Sequence, residues 1–259
     1  KSIVLTSYAI YDNLDEWIIF DEDSNRWVIN NSHIDSTRLI GSSPDDPEYG
    51  SVILITPDSE ECISPEIVGF TIEGGSGTKV FRVNDEGNQY NVVLGGGILA
   101  DVSDPHIHHN AFEINGSEEV YSGGAAQLTS AAEDWSFNDR LEDYDIVCDG
   151  FEEFRLSHNL YNGNDAQYGN TMANRFHEDE FDMSGSIFDV FDYTNIEQSV
   201  SQAWIKVESD VNINFESSEG QLNAFTADTV FVNPTIPQEC LEEGCGFFNN
   251  PFKSIARTL

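Results

Sequence analysis

A six-residue pattern recurs along this 259-residue chain and constrains its fold more than any other feature. Each copy has apolar residues at its first and last positions, and its fourth position is often Asn or Ser. The copies begin at Ile67, Ile107, Leu156 and Met183, and a weaker one begins at Ile34. Repeats separated by about 27 to 49 residues indicate units that stack, because one such unit cannot bury its apolar face alone.

The repeats predict an all-β fold, namely a single-stranded parallel β-helix (a solenoid) with projecting loops and a short C-terminal helix. Gly97 and Gly124 support this prediction because they occupy matching places in the related phrases GGGILA and SGGAAQ. Asn110 and Asn159 also match. Because asparagine tolerates left-handed backbone angles at a sharp bend and can bond its own backbone, we expect an asparagine stack at a corner of the coil. The alternative is an ordinary β-sandwich with glycine-rich hairpins.

The pattern also suggests where the domain ends. We expect the β-helix to occupy residues 1–225, and residues 131–150 and 174–180 to form loops that project from it, the first with a short helix. We expect residues 226–259 to contain a cysteine loop and an amphipathic helix. Phe252, Ile255, Ala256 and Leu259 lie on one face of that helix, which would cover the open end of the coil.

The chain is strongly acidic. It has 47 Asp and Glu residues against 11 Lys and Arg, for a formal net charge of -36. This balance excludes non-specific nucleic-acid binding, which needs basic residues to neutralise phosphates. No stretch approaches the ~20 apolar residues that a transmembrane helix needs, so we expect no membrane insertion. The sequence begins inside a predicted strand at Lys1, which suggests a fragment of a longer protein.

We expect no zinc site at the four cysteines, because none of them forms a C-x-x-C pair. Cys240 and Cys245 are close enough in sequence to close a small loop, and we expect a disulfide between them. Cys62 and Cys148 are either buried single thiols or a second pair.

The phrases GGGILADVSDPHIHHNAFEING and SGGAAQL resemble the right-handed parallel β-helix repeats of secreted bacterial proteins, within the pectate-lyase-like superfamily. The resemblance covers roughly residues 34–215. It implies a secreted or cell-surface location. Residues 230–259 are similar to the segment that opens such domains, which implies a following β-helix domain; a true C-terminal cap is the alternative.

The resemblance also raises the question of catalysis, since this superfamily includes polysaccharide lyases and hydrolases. If the chain is an enzyme, Asp101, Asp104, His106 and His108 are the candidate acid, base or metal-binding residues. The alternative for His106 and His108 is a solvated row on the outer face of a strand, alternating with Ile107. The catalytic phrases of polygalacturonases are absent from the sequence.

Two acidic groups are candidate Ca²⁺ sites, because Ca²⁺ prefers oxygen ligands. One is Asp143 with Asp145, and the other comprises Glu178, Asp179, Glu180 and Asp182. Neither has the spacing of an EF-hand loop.

The sequence therefore favours a structural or adhesive module of a larger tandem-domain surface protein. Its expected partners are neighbouring β-helix domains or subunits, and glycans. A polysaccharide lyase or glycoside hydrolase, or a Ca²⁺-dependent glycan-binding domain, is the alternative.

Overall fold

The computed structural model describes part of the chain, namely residues 3–41, 44–46, 48–56, 63–83, 89–129, 135–136, 153–175, 180–189, 205–206 and 213–220. The four cysteines and the predicted C-terminal helix lie outside these residues.

The described residues form an all-β structure with very little helix. Their helices are a 3₁₀ helix at Tyr8–Tyr11 and a short α-helix, α1, at Ser32–Ser36. Neither helix has the length that crossing a membrane would require.

Most strands belong to four parallel sheets and are numbered in chain order. Sheet I contains β4 (Arg38–Ile40), β8 (Thr71–Glu73), β13 (Ala111–Glu113), β17 (Leu160–Asn162), β20 (Ile187–Phe188) and β23 (Glu219–Gly220). Sheet II contains β6 (Ile53–Ile55), β11 (Ile98–Ala100), β14 (Ala126–Thr129), β18 (Met172–Arg175) and β21 (Ile205–Lys206). Sheet III contains β1 (Val4–Thr6), β7 (Glu66–Val68) and β12 (His106–His108), and sheet IV contains β16 (Glu153–Arg155), β19 (Glu180–Asp182) and β22 (Ile213–Asn214).

The remaining strands are antiparallel. A hairpin of β2 (Ile18–Asp21) and β3 (Arg26–Ile29) lies near the N-terminus. A second hairpin joins β9 (Gly77–Val83) and β10 (Gln89–Leu94), and β5 (Tyr49–Gly50) and β15 (Trp135–Ser136) pair with β9. Thus the described part of the predicted 131–150 loop is a short strand.

The chain visits the parallel sheets in one repeating order, from sheet II to sheet III or IV and then to sheet I. It does so through β6, β7 and β8, then through β11, β12 and β13, and three more times by β23. The backbone N–H of His109, just after β12, donates to the carbonyl oxygen of His158, just after β16, over 2.9 Å. This bond connects the corresponding ends of sheets III and IV.

The copies of the six-residue pattern, called hexads below, align from strand to strand. Ile67 pairs with Ile107, and both lie in the main hydrophobic cluster with Leu156 and Met183. The last hexad positions form a column in sheet I. Its members are Leu39, Ile72, Phe112, Tyr161 and Phe188. The rings of Phe112 and Tyr161 stack at 5.2 Å, as do those of Tyr161 and Phe188, so the periodic apolar residues form a continuous interior.

A ladder of side-chain hydrogen bonds runs along the corner before sheet I. The Phe70 N–H donates to Asn110 Oδ1, the Asn110 N–H to Asn159 Oδ1, and the Asn159 N–H to Ser186 Oγ, over 3.0 to 3.1 Å. The predicted asparagine stack is therefore present. Asn110 and Asn159 are fully buried, so these bonds satisfy backbone groups that water cannot reach.

The residue with left-handed backbone angles at this corner is the one before the asparagine, not the asparagine itself. Gly69, His109, His158, Gly185 and Ser217 all have φ between 53° and 86°. The reason is that the asparagine side chain is used to bond the neighbouring repeats, while the preceding residue turns the backbone.

A second corner, which the sequence analysis missed, follows sheet I. Gly74, Ile114 and Gly163 have positive φ there. The Asn115 N–H donates to Asn164 Oδ1 over 3.1 Å, so asparagine bonds two neighbouring repeats here as well.

The N-terminal residues pack on the outer side of sheet I. Ala9, Trp17 and Ile34 form a cluster with Ala111 and Leu160. Ile34 lies in α1, which Asn31 caps by accepting hydrogen bonds from two backbone N–H groups. The prediction of a weak hexad beginning at Ile34 is therefore confirmed only for its last residue. Leu39 joins the column in sheet I, whereas Ile34 does not.

Candidate functional site

Histidine and glutamate side chains converge on the outer face of sheet III. Within the described part of the chain, one group of three or more potential metal ligands has its donor atoms within 4.8 Å of one another, and its members are Glu66, His106 and His108. All three are half-buried.

The strands position these side chains directly. Alternate residues of a strand point to opposite faces, so the fully buried Ile107 places both His106 and His108 on the outer face. The register pairs Glu66 with His106 and Val68 with His108. Glu66 therefore lies beside one histidine and diagonal to the other.

Hydrogen bonds order the group. His108 Nε2 lies 3.0 Å from Glu66 Oε1, and His108 Nδ1 lies 2.8 Å from His109 Nδ1. One of the two Nδ1 atoms donates and the other accepts. The rings of His106 and His108 are 4.4 Å apart. His108 is thus held on both sides of its ring.

His109 is fixed by its surroundings. Its ring stacks on His158 at 5.0 Å and meets the edge of Trp17 at 5.9 Å. Burial, with a smaller contribution from the neighbouring histidines, lowers the pKa of His109 to about 3. Its imidazole is therefore neutral at physiological pH.

The charged row continues onto sheet IV. Arg155 of β16 lies opposite Asp182 of β19 in the strand register, and the Asn214 amide donates to Asp182 Oδ1 over 3.1 Å. Burial and the nearby His108 lower the pKa of His106; Glu66 and Asp182 raise it by a smaller amount, and Arg155 lowers it. His106 is therefore close to both positively and negatively charged side chains, whose effects on its pKa oppose one another.

Two of the predicted candidates, Asp101 and Asp104, do not belong to the group formed by Glu66, His106 and His108. Asp101 follows β11, is 1% exposed, and has no hydrogen-bond partner for either carboxylate oxygen. Burial raises its pKa to about 7. Asp104 is buried, and its carbonyl oxygen accepts a hydrogen bond from Ser64 Oγ over 2.8 Å. The structure joins only the two histidines of the predicted set of four.

Glu66 was missed by the sequence analysis, although a signal was present. Glu66 directly precedes Ile67, the first residue of its hexad. In the same way His106 precedes Ile107, Arg155 precedes Leu156 and Asp182 precedes Met183. Aligning the residues before each marker would have found this row.

The predicted Ca²⁺ sites and disulfide are only partly described. Asp143, Asp145, Glu178 and Asp179 lie outside the described residues, and so do Cys240 and Cys245. The backbones of Glu180 and Asp182 belong to β19.

A second polar group covers sheet I. Arg38 forms ion pairs with Glu73 and with Glu113, the latter at 2.7 Å. The hydrogen bond from Arg38 lowers the pKa of Glu73, and the carboxylates raise that of Arg38. Beside this group is a cleft of about 350 Å³ between the N-terminal hairpin and sheet I.

Comparison of the chain with protein-family models, with characterised proteins and with solved structures finds no match in any of the three.

Proposed function

We propose that the chain folds as a right-handed parallel β-helix and serves as a structural or adhesive module of a secreted or cell-surface protein. Each turn of the helix takes one strand from each of three faces. The fixed order in which the chain visits the parallel sheets supports this architecture, as does the rule that parallel crossovers are right-handed.

The observation that carries the structural role is the corner ladder. Asn110, Asn159 and Ser186 are fully buried, so a ligand at the surface cannot reach their side chains. The side chains of Asn110, Asn159 and Ser186 instead accept hydrogen bonds from the backbone of the neighbouring repeat. The repeated polar residues therefore stiffen the stack, and the acidic surface, with a net charge of -36, keeps it soluble.

The proposed partners are neighbouring β-helix domains or subunits, and glycans. In a tandem protein the end of one stack meets the next, which removes the open edge that would otherwise pair with another chain. We expect the complete reading frame to encode a further hexad array after Leu259; a stop codon there would support a cap instead.

The second candidate is a carbohydrate-active enzyme, and the outer row of sheets III and IV favours it. Glu66, His106, Arg155 and Asp182 supply acid, base and cationic groups along one face. Such groups are the ones that lyases and hydrolases use.

Turnover on a panel of acidic and neutral polysaccharides, with and without Ca²⁺, separates the two candidates. We expect no turnover. Activity that is lost in His106→Gln or Asp182→Asn would contradict the structural role and support the enzyme. Ca²⁺-dependent binding of a polysaccharide without turnover would support a glycan-binding module.

A further inference from the structure

We propose that Glu66, His106 and His108 form a binding site for a divalent transition-metal ion, and that Zn²⁺ is the ion that fits its donor atoms best. The group offers two imidazole nitrogens and one carboxylate oxygen. Zn²⁺ accepts this combination, whereas Ca²⁺ prefers a shell made of oxygen atoms alone.

The donor atoms already lie close to the separation that a metal ion needs. Bonds of about 2.0 to 2.2 Å place the donors of a tetrahedral Zn²⁺ roughly 3.3 to 3.6 Å apart. His108 Nε2 and Glu66 Oε1 are 3.0 Å apart, and all three donors lie within 4.8 Å of one another. Small side-chain rotations are therefore sufficient to complete the site.

The backbone that carries these donors is ordered by pairing and burial. β7 and β12 pair in register over three residues, and Ile67 and Ile107 anchor the opposite face in the core. Binding thus requires no rearrangement of either strand, so little of the binding free energy is lost in ordering the protein.

His109 supplies the outer partner that metal-binding histidines usually have. When His108 binds the ion through Nε2, its Nδ1–H donates to His109 Nδ1, which lies 2.8 Å away. The stack on His158 and the edge contact with Trp17 hold the His109 ring in place. Metal binding would thus replace the hydrogen bond that His108 Nε2–H donates to Glu66 Oε1 by a bond to the ion, and His109 Nδ1 would accept from the proton then carried by His108 Nδ1.

Three protein donors leave at least one coordination position open to water or to a donor from a partner. The half-buried position of the group gives solvent access to that position. The ion would also connect two strands from neighbouring repeats, so its binding would stabilise the folded chain.

Calorimetric titration of the metal-free chain with Zn²⁺, in excess Ca²⁺, tests the proposal. The Ca²⁺ saturates weak binding to the 47 carboxylate residues. We expect one Zn²⁺ per chain, at least tenfold weaker binding in Glu66→Gln, His106→Gln and His108→Gln, and about tenfold weaker binding in His109→Gln.

The matched control is His33→Gln. His33 pairs with Asp12 at 2.7 Å and lies outside the group, so this change should leave Zn²⁺ affinity unaltered. Equal Zn²⁺ affinity in the wild type and in His108→Gln would overturn the proposal.

X-ray absorption of the Zn²⁺-loaded wild-type chain provides a measurement that does not depend on the folding of any variant. We expect two imidazole ligands in the first coordination shell. A shell of oxygen atoms alone would also overturn the proposal.

Discussion

The imidazole rings of His109 and His158 stack with their centroids 5.0 Å apart and their planes 9° apart. The two residues come from different repeats and have nearly the same left-handed backbone angle, with φ of 53° and 55°. Non-glycine residues pay for this conformation, so the stack and the ladder beside it offset a local cost in backbone energy.

Gly185 occupies the same corner position in the following repeat, and it lies against the His158 ring. A Cβ atom at Gly185 would lie 2.7 Å from that ring, whereas one at Gly163 would have its nearest neighbour at 3.6 Å. Both glycines have left-handed φ, so either Ala variant should lose about 1 kcal/mol of unfolding free energy. We expect Gly185→Ala to lose roughly 1 kcal/mol more in urea denaturation, because the ring must leave its stack on His109.

A double variant provides the control for this prediction. In a His158→Ala background, Gly185→Ala should cost no more than Gly163→Ala does. An extra cost that persists without the ring would show that the contact with His158 is not its cause.

The corner ladder should contribute strongly to stability. Asn110→Ala leaves the buried Phe70 N–H without its acceptor and removes the hydrogen bond from the Asn110 amide to the Ile67 carbonyl. We expect a loss of about 3 kcal/mol in the free energy of unfolding, measured with urea. Asn162→Ala is the control, since Asn162 is exposed, and it should change stability by less than about 0.5 kcal/mol. Equal losses in the two variants would contradict the role of the ladder.

The buried carboxyl of Asp101 should make stability depend on pH. Its pKa is about 7 in the folded state, above the ordinary value of 3.8, so the folded chain binds the proton more tightly than the unfolded chain does. Its contribution to stability is therefore complete at low pH and falls as the pH rises from about 4 to 7, by at most about 1.4 kcal/mol per pH unit.

The test is urea denaturation of the wild type and Asp101→Asn across this pH range. The variant should lack the fall, and exposed Asp23→Asn should retain it. A pH dependence in Asp101→Asn that matches the wild type would contradict this assignment.

The Arg38–Glu73 pair should produce the opposite pH dependence. Its hydrogen bond lowers the pKa of Glu73 in the folded state. The stabilisation is therefore present above the unfolded pKa and is lost as the pH falls through the folded pKa. At neutral pH, Glu73→Gln should cost about 1 kcal/mol or less, because solvent screens the pair, and the difference from wild type should vanish in acid. Thermal denaturation of this variant beside exposed Glu119→Gln measures it; a constant difference at all pH values would refute it.

Much of the β-structure follows from the sequence because the core positions are periodic. The apolar ends of the hexads identified Phe112, Tyr161 and Phe188, which stack in register. The same periodicity placed His106 and His108 on the outer face.

The remaining features depend on contacts that have no period. α1 and Trp17 pack on Ala111 and Leu160 through a single, unrepeated segment, so no recurrence marks Ile34 as part of a separate cluster. Asp101 follows a buried strand where a polar residue is expected to be exposed, and only the surrounding structure shows that it is buried. Glu66 could have been found, because it shares its repeat position with His106.

The spacing between successive ladder residues varies widely without disturbing the ladder. Forty residues separate Phe70 from Asn110, 49 separate Asn110 from Asn159, and 27 separate Asn159 from Ser186. Extra residues leave the stack as excursions such as the β9–β10 hairpin, and closing a longer excursion costs free energy that grows only with the logarithm of its length. Exposed segments of different lengths can therefore project from this scaffold while each corner keeps its geometry.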